Sequence, residues 1–291
     1  MTAVLQRIGL LIRLGKPRIA LMVGITAFAG AVAAVLHAGE VDMVRILLIT
    51  FLTITTAYGS AVINNYLDRD IDSLMNRTRG RPLASGQFPP SLALRLGIAS
   101  VAASVLLIYA VAGALPALLA LVAAASYSLL YSLYLKRTTP WASIIGAIPG
   151  AMPPLIGYSA IAGGTGVEGL ILFAILFIWQ PPHFWYLAMM LEGDYRRAGI
   201  PVLPVVYGRG FTRRLTLLFS LLLAAALFLP CASSLTGMGY CLGASILSVI
   251  WAFVSFLAYA GKVSSRLAFV LSNLVVLFAF LLFTLEVVQS L

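Results

Sequence analysis

Residues 43–72 read MVRILLITFLTITTAYGSAVINNYLDRDID, an apolar run that ends in a cluster of polar and acidic side chains. The part from 43 to 65 is long enough to cross a hydrocarbon core of about 30 Å as a helix. The chain has nine acidic residues in 291, and Asp68, Asp70 and Asp72 follow directly on this run. Carboxylates at the end of a membrane span are rare and usually functional. The segment therefore predicts a membrane protein with its chemistry at a membrane boundary.

The composition of the whole chain agrees with this prediction. Hydrophobic residues make up 62% of it, charged residues make up 10%, and the mean hydropathy is +1.04. These values exclude a soluble globular domain. We expect an all-α integral membrane protein with nine transmembrane helices, at 18–37, 43–65, 90–111, 114–134, 141–161, 168–190, 212–232, 240–260 and 267–288.

The basic residues predict the orientation of these helices, because cytoplasmic segments collect Lys and Arg. With the N-terminus inside, every basic residue except Arg45 falls in or beside a cytoplasmic segment. We therefore expect a multi-pass protein of the bacterial inner membrane with a cytoplasmic N-terminus and an outer C-terminus. The net charge of +10 then reflects topology and attraction to anionic lipids or phosphates, so nucleic acid is not an expected partner.

Two cytoplasmic connections, 66–89 and 191–211, are long and rich in ionisable residues, whereas the outer connections are short. Each follows an even-numbered span and carries acidic residues, then arginines, then a proline. The spans before them are four crossings apart, so two four-helix halves would be related by an axis along the membrane normal. We expect one membrane domain over 1–291, with halves at 1–134 and 141–260 and an extra ninth helix at 267–288.

Asn64, Asp68 and Asp72 are spaced i, i+4 and i+8, so on a helix their side chains stack along one face about 6 Å apart. Like charges this close repel unless a cation lies between them. Mg²⁺ takes carboxylate oxygens together with water and substrate phosphate. We predict that these three residues are catalytic and hold Mg²⁺, and that Asp70, on another face, is structural. The alternative is a solvated loop whose aspartates pair with nearby arginines.

Basic residues near this motif are candidates for a phosphate-bearing ligand, because guanidinium groups clamp phosphate oxygens. The second long connection is the weaker half of the site, since Glu192 and Asp194 are two positions apart and cannot share a helix face. Its arginines either contact the ligand or only follow the positive-inside rule. The candidate diphosphate-binding residues are Asn65, Arg77, Arg81, Lys136, Arg196 and Arg197.

A histidine and several aromatic residues predict a pocket within the membrane. His183 follows Pro181 and Pro182, which remove two backbone donors, and it lies about 10 Å from the cytoplasmic end of its span at 1.5 Å per residue. It either bonds a neighbouring helix or faces a cavity and contacts substrate or metal. In the fourth span, Tyr127, Tyr131 and Tyr134 are predicted to share one helix face. The expected pocket residues for acceptor and prenyl chain are Tyr127, Tyr131, Trp185 and Asp194.

Together these features describe a clamp for metal and diphosphate that opens into an aromatic pocket. This arrangement suits ionisation of an isoprenyl diphosphate, with the leaving group stabilised by metal and arginines and the allylic cation by tyrosine rings. A transporter is an alternative, but the spans hold almost no ionisable residue apart from His183. A CDP-alcohol phosphotransferase would need an Asp-Gly followed by Ala-Arg before its aspartates, and the sequence has none.

Cys231 and Cys241 flank the outer connection between the seventh and eighth spans. They could form a disulfide or remain as two unpaired cysteines in an apolar setting. We expect the unpaired state.

The pattern Asn64-x-x-x-Asp68-x-x-x-Asp72 on a nine-helix chain resembles the UbiA superfamily of intramembrane aromatic prenyltransferases. The resemblance extends over about two thirds of the chain, and the segments around His183 and at 198–204 point to the heme-farnesylating branch. The segments that carry it lie at 15–18, 64–72, 77–83, 131–137, 153–157, 182–185 and 194–204.

The resemblance implies transfer of a farnesyl group from farnesyl diphosphate to a vinyl group of heme B, with addition of water, giving heme O. It implies Mg²⁺ as cofactor. The expected partners are the lipid bilayer and a heme A synthase or terminal-oxidase assembly protein. His183 would bind or orient the heme iron or help to deprotonate the water. A quinone-type or chlorophyll-type acceptor is the alternative within the superfamily. Many members carry a second Asp-x-x-x-Asp motif after the sixth span, whereas this chain offers only Glu192 and Asp194 there.

Overall fold

The computed structural model describes residues 2–38 and 41–290, and the side chains of residues 8–36 and 41–290. Arg7, one of the basic residues assigned to the cytoplasmic side, has its side chain outside this description. Every regular element in the described ranges is a helix. Nine of these helical segments are long and apolar enough to cross a membrane, each within a few residues of its predicted position. The prediction of an all-α protein with nine spans is confirmed.

The helices are numbered in chain order, and three spans are composite, of which the seventh is made of α13 and α14. A π-helical segment, Ser126–Leu135, joins α6 to α7, and α8 and α9 together make the fifth span. The bounds are α1 Thr2–Leu14, α2 Pro17–Ala38, α3 Met43–Leu67, α4 Arg69–Leu74, α5 Pro90–Ala112, α6 Ala114–Ala125, α7 Lys136–Thr138, α8 Ala142–Ile145, α9 Ala147–Ala162, α10 Val167–Met190, α11 Glu192–Arg197, α12 Leu203–Val206, α13 Gly208–Ala226, α14 Leu229–Ala232, α15 Met238–Tyr259 and α16 Ser265–Ser290.

Proline and glycine set several of these boundaries. Pro17 and Pro90 are the first residues of α2 and α5, where a missing backbone N–H leaves no bond unmade. Gly163 ends α9 in the left-handed conformation, with φ of 74°. Prolines within the spans do not end them, since α10 continues through Pro181 and Pro182. The two prolines therefore remove backbone donors without ending the sixth span.

Consecutive spans contact each other around a ring, which α16 closes against α2. The first and fifth spans also pack on each other, and 61% and 67% of their apolar windows are buried, the largest shares among the nine. Their backbones nearly touch, because a Cβ on Gly157 would lie 2.0 Å from the carbonyl oxygen of Ala27, and one on Gly30 would lie 1.9 Å from that of Pro154. Small residues permit such contact between membrane helices. The division into two related halves stays a prediction.

The two long connections fold against each other at one end of the ring. We call residues 68–89 and 191–207 the loop cap. Its small core comprises buried Ile71, Met75, Tyr195, Ile200 and Val202. The backbone N–H of Arg77 donates to Asp194 Oδ2 at 3.1 Å and links the two parts. The cap covers the end of α3 and so encloses the acidic motif.

Cys231 and Cys241 form a disulfide, so the expectation of unpaired cysteines is wrong. Cys231 lies in α14 and Cys241 in the first turn of α15, and the short turn between these helices brings their Cα atoms to 5.8 Å. This separation lies within the usual range for a disulfide.

We predict that membranes containing the protein react with a thiol-specific maleimide only after treatment with a reducing agent. The chain has two cysteines, and the disulfide occupies both. The measurement is the mass of the intact protein before and after labelling. Labelling without reductant would contradict the pairing, and Cys231→Ser, which frees Cys241, serves as the positive control.

We predict that Gly157→Ala lowers the thermal unfolding midpoint in detergent, because the added methyl would overlap the Ala27 carbonyl. Overpacking of this kind destabilises by about 1–3 kcal/mol. Gly164→Ala is the matched control, since a Cβ at Gly164 meets nothing within 4 Å. Equal midpoints for the two variants would show that α2 and α9 are not in close contact.

Candidate active site

The acidic motif occupies the end of α3 and the start of α4. Helical hydrogen bonds continue across the junction, from the N–H of Asp68 to Asn64 O and from the N–H of Asp72 to Asp68 O, each 2.8 Å long. Asn64, Asp68 and Asp72 therefore stay one turn apart, and all three are at most 2% exposed. Asn64 Nδ2 donates to Asp68 Oδ2 at 2.9 Å. The structure thus brings these three predicted residues together in a buried position.

Three cations from different segments surround the motif. Lys136 Nζ donates to Asp68 Oδ2 at 2.6 Å, and Arg81 Nη1 donates to Asp72 Oδ2 at 2.7 Å. Lys16 Nζ donates to Asn64 Oδ1 and also lies 3.5 Å from the hydroxyl oxygen of Tyr127. Burial, with the nearby Arg81 guanidinium, lowers the pKa of Lys16 to about 7. Each carboxylate therefore has its own cationic partner in the protein.

Asp68 Oδ1 is the exception in this network. It is buried and has no hydrogen-bond partner among the described residues. An unpaired buried acceptor destabilises the fold, and more so when it is charged. Within residues 2–38 and 41–290 no three His, Cys, Asp or Glu side chains are grouped so as to hold a metal. Mg²⁺ needs only one or two carboxylates when water and substrate phosphate complete its shell, so Asp68 and Asp72 fit it.

The predicted metal ligand Asn64 is differently placed. Its Oδ1 accepts from Lys16, and its Nδ2 donates to Asp68 and to Ser132 Oγ, the latter at 2.7 Å. Its amide is therefore fully engaged, and Oδ1 could bind a metal only if Lys16 moved away. Asn65, a predicted diphosphate ligand, donates to the carbonyl oxygen of Leu14 at 2.6 Å and accepts from Arg81 at 3.3 Å. In this structure Asn65 anchors α1 and orients Arg81.

The π-helical segment sets the positions of the predicted tyrosines. Tyr127 and Tyr131 stack with ring centroids 5.8 Å apart and planes 10° from parallel. Tyr134 instead lies on the outer surface with 62% exposure, so the prediction that all three share a face is wrong. A π-helix has about 4.4 residues per turn, which keeps i and i+4 close but rotates i+7 to the opposite side. Ser132 Oγ donates to the carbonyl oxygen of Tyr127 at 2.8 Å, across this wide turn.

The arginines of the second long connection pair with its acidic residues. Arg196 and Arg209 both donate to Glu192, at 2.9 Å and 2.6 Å, and these bonds, that of Arg209 above all, lower the pKa of Glu192. Arg197 bonds Asp194, which already accepts from the backbone of Arg77. Asp194 therefore joins the two parts of the loop cap, and its place in the pocket stays a prediction. The structure does not bring Arg196 to the acidic motif.

Asp70 is set apart from the motif. Arg137 donates two hydrogen bonds to its carboxylate, each 2.8 Å long, and its side chain is 60% exposed. The hydrogen bond from Arg137 lowers the pKa of Asp70 to about 2. This aspartate therefore stabilises the α3–α4 junction on its outer side.

His183 and Trp185 occupy different environments on α10. The ring of His183 is partly exposed and stacks between Trp179 and Phe269, at centroid distances of 4.5 Å and 4.4 Å. Trp185 is 0% exposed, donates to Ser143 Oγ at 2.8 Å and packs edge-on against Phe219. The indole of Trp185 therefore lies in the packing core of this structure, and its pocket-lining role stays a prediction.

The sequence did not single out Lys16 and Ser132 as site residues. Lys16 occupies the turn between α1 and α2 with φ of 52°, an unusual conformation for a non-glycine residue that suggests a functional position. Tyr58 supports the turn by donating to the Leu11 carbonyl at 2.8 Å and by packing on Gly15, where a Cβ would lie 1.8 Å from the ring. In the sequence, the only signal for Lys16 was its place in a Gly-Lys-Pro-Arg segment before the first span.

The sequence of this chain matches a known protein family over most of its length. The model of the UbiA prenyltransferase family matches residues 23–274. The chain belongs to the UbiA prenyltransferase family. Proteins named protoheme IX farnesyltransferase resemble this UbiA enzyme over most of their length. That of Neorickettsia sennetsu is 38% identical over 275 residues, which cover 94% of this chain and 90% of the relative. That of Aquifex aeolicus is 41% identical over 238 residues, which cover 82% and 81%.

Solved structures share the fold of this UbiA enzyme. A digeranylgeranylglyceryl phosphate synthase superposes with a TM-score of 0.79 at 18% identity, covering 98% of this chain and 99% of its own. A UbiA homolog from Archaeoglobus fulgidus bound to DMAPP and Mg²⁺ superposes with a TM-score of 0.65 at 16% identity, covering 97% and 99%. At these identities the similarity shows the fold alone.

We predict that Lys136→Gln lowers both the thermal stability and the prenyl transfer rate. Without this ammonium, Asp68 loses its cation in a buried site, and breaking a buried ion pair typically destabilises by about 3 kcal/mol. Lys262→Gln is the control, because Lys262 is an exposed lysine in a distant connection. The measurements are the unfolding midpoint in detergent and the release of diphosphate. A Lys136 variant that matches the Lys262 variant in both would contradict the pairing.

Proposed function

We propose that this UbiA enzyme transfers the farnesyl group of farnesyl diphosphate to a vinyl group of heme B, with addition of water, to give heme O. The observation that carries this proposal is the identity of 36–41% with proteins named protoheme IX farnesyltransferase, over 80–94% of the chain. The arrangement of the acidic motif supports the diphosphate end of the reaction.

The diphosphate of the prenyl donor would bind at the buried end of α3. Lys16, Arg81 and Lys136 provide three basic groups within hydrogen-bond reach of the motif, against the two carboxylates Asp68 and Asp72. The excess of basic groups favours an anionic group at this position. Mg²⁺, held by Asp68 and Asp72 with Asn64 as a candidate third ligand, would act as a Lewis acid that stabilises the leaving diphosphate.

Lys16 is suited to bind the departing group because its ammonium can leave the Asn64 amide for phosphate oxygens. Arg81 and Lys136 would keep the carboxylates compensated while the diphosphate leaves, which is electrostatic stabilisation by groups already in place. Arg77 has an exposed side chain in the loop cap and would act at the entrance. Arg196 and Arg197 would attract the donor from a greater distance and leave the bound diphosphate to the three inner cations.

The stacked rings of Tyr127 and Tyr131 would stabilise the allylic cation. Tyr127 lies beside Lys16 at the motif, and Tyr131 packs over Gly146, where a Cβ would lie 2.5 Å from the ring. Aromatic faces attract cations within about 6 Å of the ring centre. The vinyl carbon of heme B would attack this cation, and water would then add to the porphyrin side. His183 is the residue that we propose contacts the acceptor.

We also propose that the enzyme lies in the bacterial inner membrane with its N-terminus in the cytoplasm and its C-terminus outside. The distribution of basic residues supports this orientation. Heme O then requires an enzyme that oxidises it further or an oxidase that takes it up, so a heme A synthase or a terminal-oxidase assembly protein is the expected partner.

The proposal is tested by mass spectrometry of heme extracted from membranes that contain the enzyme, after incubation with heme B and farnesyl diphosphate. We expect heme B to gain the mass of one farnesyl group and one water, less the proton lost on transfer. We expect Asp68→Asn and Asp72→Asn each to lower this product at least about 100-fold, since an amide cannot replace a metal-binding carboxylate.

Asp70→Asn is the matched control, because Asp70 lies in the same motif but bonds Arg137 on the outer side. It should retain product formation. Prenylation of 4-hydroxybenzoate with no product from heme B would instead assign the enzyme to the quinone-type branch. Full heme O formation by Asp68→Asn would refute the role of the motif.

A further inference from the structure

Ser272 of α16 connects the ninth span to the sixth through two hydrogen bonds. Ser272 is fully buried, and its Oγ lies 2.7 Å from Nδ1 of His183. Its backbone carbonyl accepts from the indole N–H of Trp179 at 2.9 Å. The rings of Trp179 and Phe269 stack on the two faces of the imidazole. His183 is therefore fixed on both faces and along one edge.

The hydrogen bonds of Ser272 assign the proton on this imidazole. A serine hydroxyl has one hydrogen, and that of Ser272 donates to the carbonyl oxygen of Phe269 at 2.8 Å, within its own helix. Towards His183 the hydroxyl therefore acts as an acceptor, so Nδ1 carries the proton. In the neutral ring the lone pair then lies on Nε2, which has no hydrogen-bond partner among the described residues.

We propose that Ser272 is a positioning residue that holds His183 in the Nδ1-protonated tautomer and leaves Nε2 to bind the iron of the acceptor heme. The inference rests on the proposed function, because it takes heme B as the acceptor. Histidines that bind metals regularly donate their other ring N–H to an oxygen, which fixes the ring and makes it a stronger ligand. The chain from His183 through Ser272 to the Phe269 carbonyl has this form.

The exposure of the rings favours a ligand over a purely structural histidine. Trp179, His183 and Phe269 all remain partly exposed, whereas Trp185, two residues after His183, is completely enclosed. The stack of Trp179, His183 and Phe269 is thus accessible in part at the α10–α16 interface. A histidine that served only to join the helices would gain nothing from this exposure.

The tautomer is measured by ¹⁵N NMR of the ring nitrogens in the full-length protein, labelled at histidine and held in nanodiscs. The chain has two histidines, so His37→Gln identifies the signals of His183. We expect a protonated Nδ1 and an unprotonated Nε2 in the wild type. Ser272→Ala should shift the population towards the Nε2-protonated form, and Ser272→Thr, which keeps the hydroxyl, should restore the original tautomer.

Thr284→Val is the control on the same helix, because the Thr284 hydroxyl donates only to the Phe280 carbonyl, at 2.8 Å. It should leave the His183 signals unchanged. An unaltered tautomer in Ser272→Ala would overturn the role of Ser272, and a wild-type ring protonated on Nε2 would do the same.

Iron binding is measured by titrating ferric heme into the same proteins and recording absorption and electron paramagnetic resonance spectra. We expect His183→Ala to lose the signature of a histidine ligand and Ser272→Ala to bind heme about tenfold more weakly, as loss of such support to a metal ligand typically does. Ser272→Thr should bind nearly as the wild type does. Spectra of His183→Ala identical to those of the wild type would overturn iron binding. A wild type that makes no heme O would instead refute the proposed function, and the NMR result does not depend on turnover.

Discussion

The structure depends on compensating two carboxylates that are buried at the end of a membrane span. Asp68 and Asp72 are almost completely enclosed. An isolated ionised carboxylate in such a medium would be strongly destabilising or would take up a proton. Lys136 and Arg81 provide the compensating charges. In sequence they lie 68 positions from Asp68 and 9 positions from Asp72, and the fold brings both side chains to the motif. The π-helical segment, the loop cap and the turn before α2 share one physical role, which is to deliver cations to the end of α3.

The compensation leaves one basic group, Lys16, in excess and one carboxylate oxygen unpaired. Three basic groups meet two carboxylates, while Asp68 Oδ1 has no partner among the described residues. The extra basic group suits binding of an anion, and the unpaired carboxylate oxygen suits binding of a divalent cation. In the proposed reaction these charges would be in place before substrate arrives, which is the condition under which electrostatic stabilisation is most effective.

Local patterns predicted the nine spans and the grouping of Asn64, Asp68 and Asp72, because hydropathy and helical spacing depend on neighbours in sequence. Contacts between distant segments were not predictable in this way. Lys16 and Ser132 lie 48 and 68 positions from Asn64, and only packing of α1 and of the π-helical segment brings them there. The wide π-turn also moved Tyr134 away from Tyr131, against an expectation based on 3.6 residues per turn. The disulfide was missed for a related reason, since it follows from the turn between α14 and α15.

Two serines, Ser132 and Ser272, orient a side chain of another helix in the same way. Ser132 commits its hydrogen to the Tyr127 carbonyl and accepts from Asn64, and Ser272 commits its hydrogen to the Phe269 carbonyl and accepts from His183. A serine bonded to its own helix in this way can only accept from a side chain on another helix. It thereby fixes which atom of its partner is left for other groups: Oδ1 of Asn64, which accepts from Lys16, and Nε2 of His183. Because no bulk water competes for these bonds within the membrane, a single hydroxyl suffices to set the direction of each group.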